Sequence, residues 1–151
     1  MIMPEVRIHR LNNYDWEQFK KDISFFSGEL TKIVDPNKIS KISMRYTNLI
    51  RKTDGDFKEY INLFPTTTRE LEKIQYKGFR VAITSNTDNP EGTCTIDVGN
   101  VVSKDEPCML IEIGVRSKNQ ENLDEWCDSA HNKIKEMFER GITDAVRDKI
   151  R

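Results

Sequence analysis

Two residues near the C-terminus have the types and the spacing of half a metal site or of a nucleophilic pair. Cys127 and His131 are four residues apart, so a helix would place the thiol and the imidazole on one face. Zinc would need more ligands, and apart from carboxylates only His9 and the two other cysteines could supply them. A nucleophilic thiol needs an exposed position that the interior of a helix seldom provides. We therefore predict no metal, no cofactor and no catalytic residue, and we expect His131 to link a helix to a sheet.

The segment 42–50 predicts a β-strand, because its residues alternate between two faces with a period of two. The residues on the face expected to meet the core are Ile42, Met44, Tyr46, Asn48 and Ile50. Tyr46 and Asn48 would point at the same interface as His131, so we predict at least one hydrogen bond between sheet and helix among these three. They are also the candidate ligand-binding residues of an alternative function, in which a small-ligand protein or enzyme uses the space between the sheet and the C-terminal helix.

Arginines are expected on the opposite face of the predicted sheet. Arg45, Arg51 and Arg80 are candidate surface residues that could hold a phosphate or an RNA backbone. Aromatic residues that would stack on bases are absent from these positions, and the formal net charge is only -1. We therefore favour a solvated face and do not expect nucleic acid as a partner.

The hydrophobic periodicity of the remaining chain predicts two long helices and further strands around segment 42–50. An apolar stripe at helical spacing predicts a helix at 14–34, and Asn12 or Asn13 could cap it. A second stripe predicts a helix that Asn119 or Asn122 could cap, the latter with Glu125 completing a capping box, and that ends at a left-handed stop at Gly141. Strands are predicted at 5–11, 77–85, 93–102 and 108–116, an irregular stretch at 57–64, a short helix at 69–74, and a closing helix capped by Thr143.

Short connections between the last three strands favour antiparallel pairing. We predict one α+β domain over residues 1–151, in the order β-α-β-β-β-β-α. Its mainly antiparallel sheet has four or five strands, with both long helices on one face. A chain of 151 residues buries enough surface to fold without disulfides.

The composition excludes several classes of protein. The three cysteines are odd in number and form no C-x-x-C pair, which favours a reduced, cytoplasmic protein. No apolar run reaches the length of a membrane span, and no basic, apolar leader opens the chain. Phosphate-binding and hydrolase motifs such as G-x-x-x-x-G-K-[ST] and G-x-S-x-G are absent.

Three segments together resemble a sporadically distributed, uncharacterised family of bacterial and archaeal proteins. They are the strand at 43–50 with its R-Y-x-N-x-I pattern, the strand at 109–115, and the helix at 130–139 with an A-H-x-x-I-x-x-x-F-E pattern before Ile142-Thr143. The resemblance covers nearly the whole chain but only the back part of a typical member. It implies an α+β fold, and it implies that a partner could replace the front part. It implies no activity, cofactor or catalytic residue.

An antiparallel sheet covered on one side leaves its other face and its edges available. We therefore expect a non-catalytic interaction module that acts as a homo-oligomer or binds a protein or other macromolecular partner. A role in conflict between host and phage is one form that this interaction could take, and the neighbouring genes would test it.

Overall fold

The computed structural model describes residues 6–9, 15–35, 41–51, 61–62, 79–118 and 122–150. Within them, helix α1 is followed by four strands and two further helices. The elements are α1 (Trp16–Thr31), β1 (Ser43–Arg51), β2 (Arg80–Asp88), β3 (Glu91–Ser103), β4 (Glu106–Ser117), α2 (Leu123–Gly141) and α3 (Asp144–Ile150). The predicted α+β class is therefore confirmed.

The four strands form one antiparallel sheet in the order β1-β4-β3-β2. Chain neighbours β2, β3 and β4 pair through tight turns, whereas β1 joins the sheet beside β4. The register sets Met44 opposite Val115 and Tyr46 opposite Ile113. This register turns the predicted apolar face of β1 toward the core, with β1 and β2 as the two edge strands.

The predicted first strand at 5–11 is wrong for the residues that the structure describes. Residues 6–9 belong to no strand, and Val6 is 60% exposed. A strand is stable only beside a neighbour that pairs with it, and no described strand pairs with this segment. Among the described residues α1 is thus the first element, and the described sheet has four strands.

Helix α1 is capped by Asp15, whose side chain accepts hydrogen bonds from the N–H groups of Glu17 and Gln18. The helix contains no fully buried residue. Its first half packs against the core through Trp16 and Ile23. Further along the predicted stripe, Leu30 is partly buried, whereas Phe26 and, beyond the helix, Ile33 are exposed. Phe25, which lies beside the stripe, is exposed as well.

The hairpin turns explain two local sequence features. Lys104 and Asp105 join β3 to β4 with φ values of 51° and 64°, the left-handed conformation that a two-residue hairpin turn requires. Gly92, just after the turn that joins β2 to β3, lies against β4. A Cβ at this position would be 2.0 Å from the carbonyl oxygen of Arg116, so no other residue fits without movement of the backbone.

Helix α2 supplies the main cover of the sheet and lies on β4 and β1. Of the two predicted caps, Asn122 is the one that caps it, by accepting from the N–H groups of Asp124 and Glu125. Gly141 is the last helical residue, and Ile142, in an extended conformation, follows it. Ile142 forms a β-bridge with Ile61.

The core between α2 and the sheet is made of apolar side chains. Its most deeply buried members include Val98, Met109, Ile113, Val115, Trp126, Ala130 and Ile134. The indole N–H of Trp126 is buried and has no acceptor among the described residues, which costs about 1–3 kcal/mol. None of the described helices is long and apolar enough to cross a membrane. The predicted irregular stretch is described only at Ile61 and Asn62, and the predicted helix at 69–74 lies outside the described residues.

Candidate functional site

Tyr46 and His131 meet where β1, α1 and α2 come together. The Tyr46 hydroxyl oxygen is 2.6 Å from Nδ1 of His131, which confirms the predicted hydrogen bond between sheet and helix. The indole of Trp16 stacks on the imidazole, with ring centroids 4.2 Å apart and an interplanar angle of 7°. Nε1 of Trp16 donates to Asp128 at 3.2 Å, and Lys20 forms an ion pair with the same carboxylate. These contacts fasten both long helices to the edge strand β1.

Burial and local charge keep the His131 ring neutral. Burial lowers the pKa of His131, and Lys135 lowers it further, while Asp128 and Glu17 oppose both effects more weakly. The hydrogen bond from Lys20 lowers the pKa of Asp128, so this carboxylate stays ionised. When the neutral ring carries its proton on Nε2, Nδ1 accepts the hydrogen bond from the Tyr46 hydroxyl. The contacts of His131 with Tyr46 and Trp16 are therefore suited to holding β1, α1 and α2 together. The indole of Trp16 fills the space beside the imidazole.

Asn48 shares the helix-facing side of β1 but not this hydrogen bond. It lies opposite Ile111 in the sheet and is half-buried. Its amide bonds to no described residue, and partial exposure spares it the full cost of burying a polar group. Tyr46 and His131 are thus brought into contact, and Asn48 lies on the same side of the sheet without joining them.

The thiols of the core are poorly suited to nucleophilic chemistry. Burial, with a contribution from Asp124, raises the pKa of Cys127 to about 12. Burial also raises the pKa of Cys94, so neither sulfur is ionised at neutral pH. In the described ranges, no group of three or more His, Cys, Asp or Glu side chains is placed to hold a metal ion. Cys127 and His131 therefore act as core and junction residues in this arrangement.

The three arginines predicted for the opposite face each form an ion pair with a carboxylate on an adjacent strand. The pairs are Arg45 with Glu112, Arg51 with Glu106, and Arg80 with Asp97. Nε of Arg80 donates to Oδ1 of Asp97 at 2.9 Å, and this contact lowers the pKa of that carboxyl. Over the described residues, positive and negative side chains therefore alternate on the open face.

A groove of about 250 Å³ crosses this open face above Gly114. Gly114 has no side chain to fill the groove, and the polar side chains around it form the walls of the groove. They include Arg45, Thr84, Thr93, Thr95, Glu112 and Arg116. Thr84 and Thr95 are hydrogen-bonded across β2 and β3, with their hydroxyl oxygens 3.2 Å apart. The groove lies on the side of the sheet opposite Tyr46 and His131, so it is separate from the predicted ligand site between sheet and helix.

The edge strand β2 is the least covered strand of the sheet. Among its nine residues only Thr87 is buried, and Val81 is partly buried. Ile83 points to the same side as the helices but is 43% exposed, because α2 lies on β4 and β1. In the described part of the chain, β3 is the only strand that pairs with β2.

The hydrogen-bond pattern shows which backbone groups of β2 face outward. The N–H of Asn100 donates to the carbonyl of Phe79 at 3.2 Å, so odd-numbered residues direct their backbone groups toward β3. Because these directions alternate along an antiparallel strand, the backbone N–H and C=O groups of the even-numbered residues point to the free edge. The outward residues are Arg80, Ala82, Thr84, Asn86 and Asp88.

Sequence reasoning missed Trp16, Lys20 and Asp128 at the junction and the carboxylates on the open face. The alternation of β3 and β4 already predicts that Asp97 and Glu112 lie beside the arginines, so that signal was present. The stack of Trp16 on His131 depends on how two distant helices pack, and a single sequence carries no signal for it.

Comparisons with known proteins add no relative. No family model, curated protein or solved structure matches the chain. The resemblance noted from the sequence therefore remains an expectation, and the proposals below depend on the described structure alone.

Proposed function

We propose that the chain is a protein-binding module that takes its partner at the free edge of β2 by strand addition. The observation that carries this proposal is a nine-residue edge strand whose outward backbone groups face no described strand. An added strand satisfies such groups in one continuous ladder.

The composition of β2 also supports strand addition. Natural edge strands are commonly protected by proline, by lysine, or by a charged side chain turned toward the covered face. The segment 80–88 contains no proline or lysine, and its helix-side residues are Val81, Ile83, Ser85 and Thr87. An edge of this length without such protection is suited to pairing with another chain.

The alternative, a small-ligand protein or enzyme with a site between sheet and C-terminal helix, has less support. Trp16 covers one face of the His131 ring, and Tyr46 occupies Nδ1. The groove of about 250 Å³ lies on the other side of the sheet. We therefore favour the interaction module.

A single backbone donor provides the test. Thr84→Pro removes an N–H that points away from β3, so the internal ladder keeps its hydrogen bonds. Thr84→Ala is the matched control, because it shortens the side chain and keeps the donor. Each chain is immobilised and exposed to a soluble extract of the cells that encode it, and bound proteins are identified by mass spectrometry.

We expect the original chain and Thr84→Ala to capture the same proteins, copies of the chain included, in equal amounts. Thr84→Pro should capture about tenfold less of them, or even less than that. Circular dichroism must show the same folded state for all three chains. Equal retention by Thr84→Pro would contradict strand addition at this edge.

A further inference from the structure

We propose that the partner at the β2 edge is a second copy of the chain, paired antiparallel about a two-fold axis at Thr84. This inference rests on the proposed function and names its partner. The two sheets would join through β2 into one sheet of eight strands.

The register follows from the outward backbone groups. With a two-fold axis at Thr84, the numbers of two paired residues add up to 168. All nine residues of β2 then take part in the pairing. The pairs made by the outward residues are Arg80 with Asp88, Ala82 with Asn86, and Thr84 with itself. All of them are positions where antiparallel strands exchange both backbone hydrogen bonds.

Charge complementarity favours this register. Arg80 stands at one end of β2 and Asp88 at the other, so antiparallel pairing brings opposite charges together twice. Asp88 is exposed and has no ion pair among the described residues. Arg80 already contacts Asp97 through Nε and Nη2, but a guanidinium has five N–H donors and can bridge two carboxylates.

The other side of the sheet gains cover in the same arrangement. Ile83 is 43% exposed and would pair with Ser85 of the second copy. The two copies of Ile83 then become diagonal neighbours across the axis, within reach of each other's side chains. Pairing therefore removes apolar surface that the helices leave open.

The helices leave room for this joining. A two-fold axis perpendicular to the sheet places the helical layers of both copies on one side. Helix α2 lies on β4 and β1, and β3 separates β4 from β2. No described helix then lies over the centre of the joint sheet, between the two helical layers. An interface built mainly on one strand is small, so we expect micromolar rather than nanomolar affinity.

Disulfide cross-linking tests the register. In the proposed dimer the two Thr84 Cα atoms are about 5.5 Å apart, within the range that a disulfide spans. The two Asn86 Cα atoms lie four residues apart along the strands, about 13 Å, and cannot be bridged. The three native cysteines are buried, so a newly introduced thiol dominates the reaction.

Under mild oxidation we expect Thr84→Cys to form a covalent dimer at least about tenfold faster than Asn86→Cys. Equal rates, or faster cross-linking of Asn86→Cys, would overturn the proposed register. Both variants lie on the exposed face of β2, so any disturbance of the fold should affect them alike.

A charge exchange gives a second, independent test. Asp88→Lys alone sets lysine against Arg80, and Arg80→Glu alone sets glutamate against Asp88, so each variant should dimerise about fivefold more weakly. Mixing the two variants restores both attractions, and we expect a mixed dimer at the original affinity or better. Failure of the mixture to associate better than either variant alone would overturn the pairing.

The oligomeric state separates this inference from the proposed function. Light scattering from about 1 to about 200 µM should show a shift from monomer to dimer that Thr84→Pro abolishes and Thr84→Ala keeps. A monomer at every concentration would overturn self-pairing. If the chain were monomeric but Thr84→Pro failed to capture a protein that the original chain captures, strand addition would stand with another partner. If Thr84→Pro changed neither the light scattering nor the capture, both proposals would be refuted.

Discussion

β1 and β2 are the two edge strands of the sheet, each nine residues long, but the helices cover only β1. On the helix-facing side of β1, Met44 is 7% exposed and Tyr46 bonds to His131. At the comparable position of β2, Ile83 is 43% exposed. One edge is thus built into the core, and the other extends beyond it.

The charges of the two edge strands differ in the same sense. β1 carries Arg45 and Arg51 and no carboxylate, so two copies laid side by side would gather four arginines. β2 carries Arg80 and Asp88 at opposite ends, so two copies are complementary. In cover and in the charges of the strand itself, β1 is therefore less suited than β2 to pairing with a second copy.

The largest expected difference between the two edges is in stability. Met44→Ala leaves a cavity beneath the helices and should lower the free energy of unfolding by about 2–5 kcal/mol. Ile83→Ala removes a side chain that is already half in solvent and should cost about 1 kcal/mol. Urea denaturation at a protein concentration low enough to keep the chain monomeric measures both. Equal losses would show that β2 is covered as well as β1.

A smaller effect is expected from the bond that ties β1 to α2. Tyr46→Phe removes the hydroxyl next to Nδ1 of His131 and should lower the free energy of unfolding by about 0.5–1.5 kcal/mol. Ser85→Ala removes a hydroxyl from the exposed, helix-facing side of β2 and should change it by less than about 0.5 kcal/mol. A Tyr46→Phe chain as stable as the original would mean that the junction does not anchor the edge strand.

The pH dependence of stability should also originate at the covered edge. The pKa of His131 is lowered in the folded state, so protonation favours unfolding. Its contribution is complete above the unfolded pKa of about 6.5 and is lost as the pH falls through the folded value. Denaturation midpoints between about pH 7.5 and pH 5 should decline more steeply for the original chain than for His131→Gln. Parallel curves would exclude His131 as the source.

The alternation of apolar residues was sufficient to predict all four described strands. β1, β3 and β4 have one face against the core, and β2 carries the same alternation although its helix-facing side is largely exposed. It also predicted that Tyr46, Asn48 and His131 would share one side of the sheet. The strand at 5–11 was predicted from two apolar residues, Val6 and Ile8, and so little apolar surface does not hold a strand without a neighbour.

What the sequence could not supply is the position of the helices relative to the sheet. The apolar stripe of α1 predicts packing on a sheet, yet its apolar contact with the core is made by Trp16 and Ile23, while Phe25 and Phe26 stay exposed. The uncovered edge at β2 follows from where α2 lies. Periodicity tells which face of an element is apolar, not how far the covering layer extends.

The smallest effect concerns the arginines of β1 and tests how much an exposed ion pair stabilises the fold. Arg45 pairs with Glu112 at 3.2 Å but is 66% exposed, so Arg45→Gln should cost only about 0.2–1 kcal/mol. Arg116, on the neighbouring strand β4, is exposed and has no ion pair among the described residues, so Arg116→Gln should cost less still. Both are measured by urea denaturation in low and high salt. A loss well above 1 kcal/mol for Arg45→Gln would mean that β1 depends on this ion pair for its place in the sheet. A loss within the expected range would mean that packing and backbone hydrogen bonds, and not this ion pair, hold β1 in the sheet.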